Sequence, residues 1–162
     1  ADIGVADLQG DGVPEGIFAE GDGGLRAARQ AETGEDAEVV WETYVGDDAI
    51  GAILCGNFDD DPAEEIAVAS HSGFLGLVES DGVPAWVKYA GNAVTDVGAI
   101  SSEDGAPILL CSSEDGSVAA YTTGCEETAW WHIGQPVDRV EAISDTIAAV
   151  AGDTLRLAEY VR

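Results

Sequence analysis

The chain has 162 residues, with 32 Asp and Glu against 6 Lys and Arg, a formal net charge of −26 and a sequence pI near 4.1. Such a field repels phosphate backbones and anionic headgroups, so nucleic acid and membrane surfaces are excluded as partners unless a cation intervenes, and basic partners are favoured. With 46% hydrophobic residues and a mean hydropathy of +0.04, the chain has the apolar material for a core and differs from an acidic disordered tail.

In chain order, the first segment runs Ala6-Asp7-Leu8-Gln9-Gly10-Asp11-Gly12-Val13-Pro14-Glu15 and is followed by Asp22-Gly23-Gly24-Leu25 and by Trp41. The stretch Gly56-Asn57-Phe58-Asp59-Asp60-Asp61-Pro62-Ala63-Glu64-Glu65 repeats the first at an offset of 50, Asp7 to Asn57, and the same offset lays Gly73-Phe74-Leu75 over Gly23-Gly24-Leu25. A third copy follows at an offset of 93, where Asp104-Gly105-Ala106-Pro107 and Asp115-Gly116-Ser117-Val118 take the places of Asp11-Gly12-Val13-Pro14 and Asp22-Gly23-Gly24-Leu25. Trp41, Trp86 and the Trp130-Trp131 doublet each close a unit ahead of an Ala-Ile pair. The last copy retains Ile147-Ala148-Ala149-Val150 and Leu155-Arg156-Leu157-Ala158 but no tryptophan segment.

Within each unit, apolar runs of about four to seven residues are separated by Asp-Gly, Ser-Gly or Pro-containing turns, and no segment sustains a helical period, so the units read as strands. The second unit predicts four antiparallel strands at Ala49 to Cys55, Glu65 to Ser70, Phe74 to Glu79 and Ala85 to Tyr89. A repeat of about 43 to 50 residues holding four strands is the size of a propeller blade. The expectation is an all-β chain, a β-propeller of four-stranded antiparallel blades forming one domain over residues 1–162. Its repeats span 1–47, 48–94, 95–139 and an incomplete 140–162; a β-sandwich or an open β-solenoid of similar hairpins is the alternative. About three and a half units fall short of a ring, so either the last blade is trimmed or another polypeptide completes the circle.

The segment Val5 to Glu15, with Asp22-Gly23-Gly24-Leu25 and Trp41, resembles the FG-GAP (VCBS-like) repeats of integrin-type β-propellers, and the Asp-Gly…Trp rhythm is similar to that of quinoprotein-type repeats. The resemblance implies calcium in loops of the form D-x-D-x-D-G-x-x-D. Calcium takes six to eight oxygen ligands, which carboxylates at alternate positions of a tight turn supply. Position by position, the implied ligands are Asp7, Gln9, Asp11 and Glu15 in the first loop and Asn57, Asp59, Asp61 and Glu65 in the second. Gln9, Asn57 and Pro62 depart from the pattern and imply weak affinity. The third unit has Ile100, Ser102, Asp104 and Ile108 at those positions and predicts no metal. The alternative for both loops is that Asp and Asn bond to their own backbone as turn residues.

The tryptophans recur at matching positions, which predicts packing between neighbouring blades. In the doublet, strand alternation sends Trp130 and Trp131 to opposite faces and leaves one of them open to a protein partner. Cys55 and Cys111 lie in apolar runs and read as buried thiols acting as small hydrophobes. Three cysteines cannot all pair within one chain, and a Cys55–Cys111 or Cys111–Cys125 disulfide stays open. There is no H-E-x-x-H, G-x-S-x-G, Walker or dinucleotide motif, and His71 and His132 fall in different units, so no catalytic role is predicted.

Lys88 is the single lysine beside five arginines, and this composition resembles that of extreme halophiles. At molar salt the Debye length falls to ~3 Å and carboxylate repulsion is screened. No apolar run approaches the ~18 residues of a membrane span. Ala1 is the first residue, Met is absent and no basic-then-apolar leader is present, which reads as a processed chain or a fragment. The function read from these features is a non-catalytic binding or scaffolding module mediating protein assembly in a high-salt organism, calcium-stabilised, and extracellular, cell-surface or particle-associated. A structural subunit of a virion, appendage or cell-surface assembly, and a propeller enzyme of quinoprotein or glycan-processing type, are the alternatives. The strand Thr154 to Tyr160, with nothing outside it, predicts an exposed edge that recruits a partner or a second copy.

Overall fold

A computed structural model describes residues 2–31, 36–102, 104–143 and 146–160. All regular structure among them is β. Blade 1 consists of β1 (Ile3–Ala6), β2 (Glu15–Ala19), β3 (Gly24–Gln30) and β4 (Ala37–Tyr44); blade 2 of β5 (Ile50–Gly56), β6 (Glu65–Ser70), β7 (Phe74–Val78) and β8 (Pro84–Tyr89). Blade 3 consists of β9 (Val94–Ser101), β10 (Pro107–Ser113), β11 (Ser117–Thr122) and β12 (Glu127–His132), and blade 4 of β13 (Arg139–Ile143), β14 (Thr146–Ala151) and β15 (Thr154–Glu159). Each sheet is an antiparallel meander with its strands in sequence order. Among the described residues the last sheet has three strands, with none in the place of the outermost strand of the other three.

The turn between the second and third strands explains why Asp-Gly or Ser-Gly recurs. Gly23, Gly73 and Gly116 hold φ values of 86°, 89° and 88°, which residues with a Cβ rarely adopt. A Cβ at these positions would also come 2.9, 2.6 and 2.8 Å from the carbonyl oxygens of Gly46, Gly91 and Gln135. The close approach is fixed by one repeated hydrogen bond: Val45, Ala90 and Ile133 donate their N–H to the carbonyls of Gly23, Gly73 and Gly116 at 2.9, 2.8 and 2.7 Å. In blade 4 the equivalent turn glycine, Gly152, has open space around its Cβ direction, as no fourth strand returns past it among the described residues.

The apolar core lies between blades. Ala6, Leu8, Ile17, Leu25 and Ala27 of blade 1 pack on Ile66, Val68 and Val78 of blade 2; Ala67, Ala69, Leu75 and Leu77 pack on Leu109, Cys111 and Tyr121 of blade 3; Ile108, Leu110 and Val118 pack on Val140, Ile147 and Ala149 of blade 4. Consequently β6 is buried at every position, since a blade lies on each of its faces, and β10 nearly so. In the end blades, β2 and β14 are buried at alternate positions only. The innermost strands pack in series, β1 on β5, β5 on β9 and β9 on β13, and no comparable packing joins β13 to β1 among the described residues. The four blades therefore form an open, propeller-like arc.

Candidate functional site

The first predicted loop closes on itself. Asp7 accepts the N–H of Asp11 on Oδ1 at 3.1 Å and that of Gly12 on Oδ2 at 2.7 Å, while Asp11 Oδ1 accepts the N–H of Val13 at 2.8 Å. Gln9 is exposed. Glu15 is buried and returns to the start of the loop, where its Oε2 accepts the N–H of Leu8 at 3.1 Å. The oxygens of this loop are thus engaged as turn formers.

The second loop repeats the architecture and adds a carboxylate. Glu65 is 2% exposed, and its Oε2 accepts the N–H of Phe58 at 2.7 Å, the counterpart of the Glu15–Leu8 bond. Asp59 Oδ1 accepts from Asp61 N and Asp61 Oδ1 from Ala63 N, each at 2.7 Å. Asn57 turns its amide nitrogen to the carbonyls of Asp61 and Ala63. Asp59 and Glu65 nevertheless meet Glu79, with one oxygen from each within 4.8 Å of the others. Of the eight residues predicted as ligands, the structure brings these two together, and Glu79 is the third member that the loop pattern omits.

Strand pairing produces the cluster. β6 and β7 pair with Ile66 opposite Val78, so one step further Glu65 lies across from Glu79, just past the end of β7. Like charges directly opposite one another in a sheet repel. Burial pushes the Glu65 carboxyl up to about 7; the Phe58 N–H opposes the shift, and the charges of Asp59, Asp61 and Glu79 add to it. Glu79 is raised as well, by burial first and then by Asp59, Asp81 and Asp61. Three hard oxygen donors that resist simultaneous ionisation match what a divalent cation neutralises. In blade 1 the residue in the place of Glu79 is Arg29, and in blade 3 Glu65 is replaced by buried Ile108, so the arrangement belongs to blade 2 alone among the described repeats.

The two loops are also joined to each other. Asp7 N donates to Glu64 Oε2 at 2.8 Å, and Glu64 N donates to the Asp7 carbonyl at 3.0 Å. On the other side, a cleft of about 530 Å³ separates the second loop from the first turn of blade 3, with Asn57, Asp59, Asp60 and Asp104 on its walls. An acidic cleft of this kind accepts cationic groups.

The tryptophans bridge blades. Trp41 Nε1 donates to the Ser80 carbonyl of blade 2 at 2.9 Å, and Trp86 Nε1 donates to the Thr123 carbonyl of blade 3 at 2.7 Å. Trp131 packs toward Tyr160 at 6.2 Å between centroids, whereas Trp130 is 57% exposed and stacked on His132 at 5.9 Å with a 9° interplanar angle. Of the two doublet residues predicted to meet a partner, Trp130 is the one on the surface. All three cysteines are free thiols, and burial pushes Cys55 up to about 11 and Cys111 up to about 12. His71 lies on the blade 2 hairpin turn, remote in sequence from the Trp130–His132 stack.

No protein-family profile matches the chain, and no curated protein does. Among solved structures it is similar to BBS1N, a β-propeller, in the crystal structure of BBS1N in complex with ARL6DN soaked with mercury. The TM-score is 0.76 at 15% sequence identity, over 98% of this chain and 53% of that one. The chain thus spans about half the length of the solved chain it matches. At this identity the likeness concerns the fold alone: an all-β succession of antiparallel sheets of propeller type.

Proposed function

We propose that this chain is a non-catalytic β-propeller-like module of the FG-GAP/VCBS-like kind that mediates protein–protein assembly at high salt, outside the cell or on a particle surface. The observation that carries the reading is exposed apolar side chains on the first and last sheets, Ile3, Val5 and Phe18 on one and Leu155 and Leu157 on the other, each 40% exposed or more. Contiguous exposed apolar surface on an otherwise charged molecule marks an interaction site. BBS1N, whose fold is similar, was itself crystallised with a protein partner. Trp130, on the outer strand of blade 3, offers a further anchor.

Calcium would be held by Asp59, Glu65 and Glu79, with Asp61 beside them. Bound there, it supplies charge neutralisation that joins the loop of blade 2 to its second hairpin; it has no part in a reaction. With three carboxylates and an exposed Asp59, affinity is weak.

The test is the native mass and composition of the particle that holds this chain, isolated in molar salt. The expected result is an assembly well above the 16.6 kDa of one chain. A free monomer in its native setting overturns the assembly reading.

A further inference from the structure

We infer that the exposed ring of Trp130 and the carboxylate of Glu127 form a seat for a guanidinium group, so that a partner protein docks on blade 3 through an arginine-bearing basic segment. The inference rests on the assembly reading and names the chemistry of the partner at this point.

The repeat shows that packing does not require an indole at position 130. Trp130 stands opposite Ala119 in the β11–β12 ladder, and the corresponding pairs are Val87 with Gly76 in blade 2 and Glu42 with Arg26 in blade 1. An aliphatic and a charged residue therefore serve at the same place in the sheet. Trp41 and Trp86, by contrast, direct their indole N–H to carbonyls of the next blade. Trp130 makes no such bond among the described residues, and it is 57% exposed.

Its surroundings fix the ring and supply charge. His132, two residues further on the same face of β12, stacks on the indole at 5.9 Å between centroids and 9° between planes. Past His132, Asp115 accepts the N–H and the hydroxyl of Ser117, the residue opposite His132, at 2.8 and 2.5 Å. In the other direction along the strand lies Glu127, exposed and opposite Tyr121. The register shift between Ala120 and Tyr121 puts Glu127 on the face of Trp130, because their partners Tyr121 and Ala119 are two residues apart on β11. Glu127 Oε2 accepts the Tyr121 hydroxyl at 3.1 Å. Its Oε1 has no partner among the described residues, and Glu127 is in none of their ion pairs.

The fold makes the same kind of contact once within itself. Lys88, the single lysine, places Nζ 4.5 Å from the centroid of the Tyr121 ring, whose hydroxyl is the one bonded to Glu127. No cation lies over Trp130 among the described residues. Tryptophan is the best of the aromatic side chains for a cation, and a planar guanidinium lies flat on a ring while its N–H groups reach a carboxylate. A net charge of −26 draws basic partners to the whole surface; Trp130 and Glu127 set where an arginine lands.

Titration of the 162-residue chain with acetylated, amidated tetra-arginine tests the inference, with tetra-lysine as the control. Molar KCl screens general attraction to the acidic surface. Affinity is read by anisotropy of the dye-labelled peptide, and position by the indole N–H resonance of Trp130, identified by its loss in Trp130→Ala. Trp130 and Glu127 are both exposed, so Trp130→Ala and Glu127→Gln keep the wild-type circular dichroism spectrum. Tetra-arginine should shift that resonance and bind more tightly than tetra-lysine. Each of the two variants should weaken it by about threefold to fivefold, while Asp153→Asn, an exposed carboxylate of blade 4, leaves it unchanged. No binding, equal affinity for the two peptides, or an unchanged affinity in Trp130→Ala or Glu127→Gln overturns the inference. Those outcomes leave the assembly reading standing, which falls instead if the native particle is the free chain.

Discussion

The indole N–H of Trp41 reaches across a blade boundary to the carbonyl of Ser80, 2.9 Å away, and Gly82 lies against the face of the same ring, where a Cβ would come 2.7 Å from Cδ2. Blade 1 is thereby keyed to the turn between β7 and β8. Trp41→Phe keeps most of the packing and removes the donor, and should cost about 1 kcal/mol. Gly82→Ala introduces both the contact with the ring and a side chain at φ 84°, and should cost roughly 1–3 kcal/mol. Denaturant unfolding in molar salt measures both, with the glycine variant the less stable.

The pH dependence follows from Glu65. Its carboxyl is raised to about 7 in the fold, against about 4.3 in an unfolded chain, so between those values the folded protein binds the additional proton. The stability this contributes is fully present below the unfolded value and is lost as pH rises through about 7. The raised Glu79 acts in the same direction. The melting temperature in molar KCl without divalent cations should fall between pH 5 and pH 8, and Glu65→Gln should flatten that fall. Parallel curves for the two proteins would remove Glu65 as the source.

Calcium reverses the preference, since it needs the ionised carboxylate. With Glu65 titrating at about 7, affinity at pH 8 should exceed that at pH 6 by about tenfold, with protons released on binding. Glu79→Gln removes one of three carboxylates and should weaken binding by roughly tenfold or more. Asp11→Ala, in the loop whose oxygens are engaged by their own backbone, should leave it unchanged. Calorimetry at constant ionic strength separates these outcomes, and equal heats from wild type and Glu79→Gln would place the ion elsewhere.

Net charge makes salt a structural ligand in bulk. Moving from molar KCl to 10 mM buffer lengthens the Debye length from about 3 to about 30 Å, which exposes the full repulsion of a −26 chain. The melting temperature should drop markedly, and more at pH 8 than at pH 5. A melting temperature independent of salt would contradict the halophilic reading.

The internal repeat makes the succession of antiparallel sheets legible in the sequence. Strands placed at Glu65 to Ser70 and Phe74 to Glu79 match β6 and β7 to within one residue, because the Ser72-Gly73 turn fixes the hairpin on both sides. The same register held the carboxylate cluster: once Ser70 pairs with Phe74, Glu65 must face Glu79. Alternate carboxylates along the loop do not reveal it, since the third donor comes from across the sheet. The uncovered ends were illegible for a different reason. Ile3 and Val5 alternate along their strand just as Ile53 and Cys55 do, and alternation reports which face is apolar without reporting whether anything covers it. The Trp130-Trp131 doublet was readable because period-two geometry alone separates the rings.

The contrast between β6, enclosed on both faces, and β2 or β14, enclosed on one, makes the arc a one-dimensional array in which each blade is held by its neighbours. Local opening is then cheapest at the two extremities and dearest in the middle. Amide protons of blades 2 and 3 should outlast those of blades 1 and 4 in deuterium exchange.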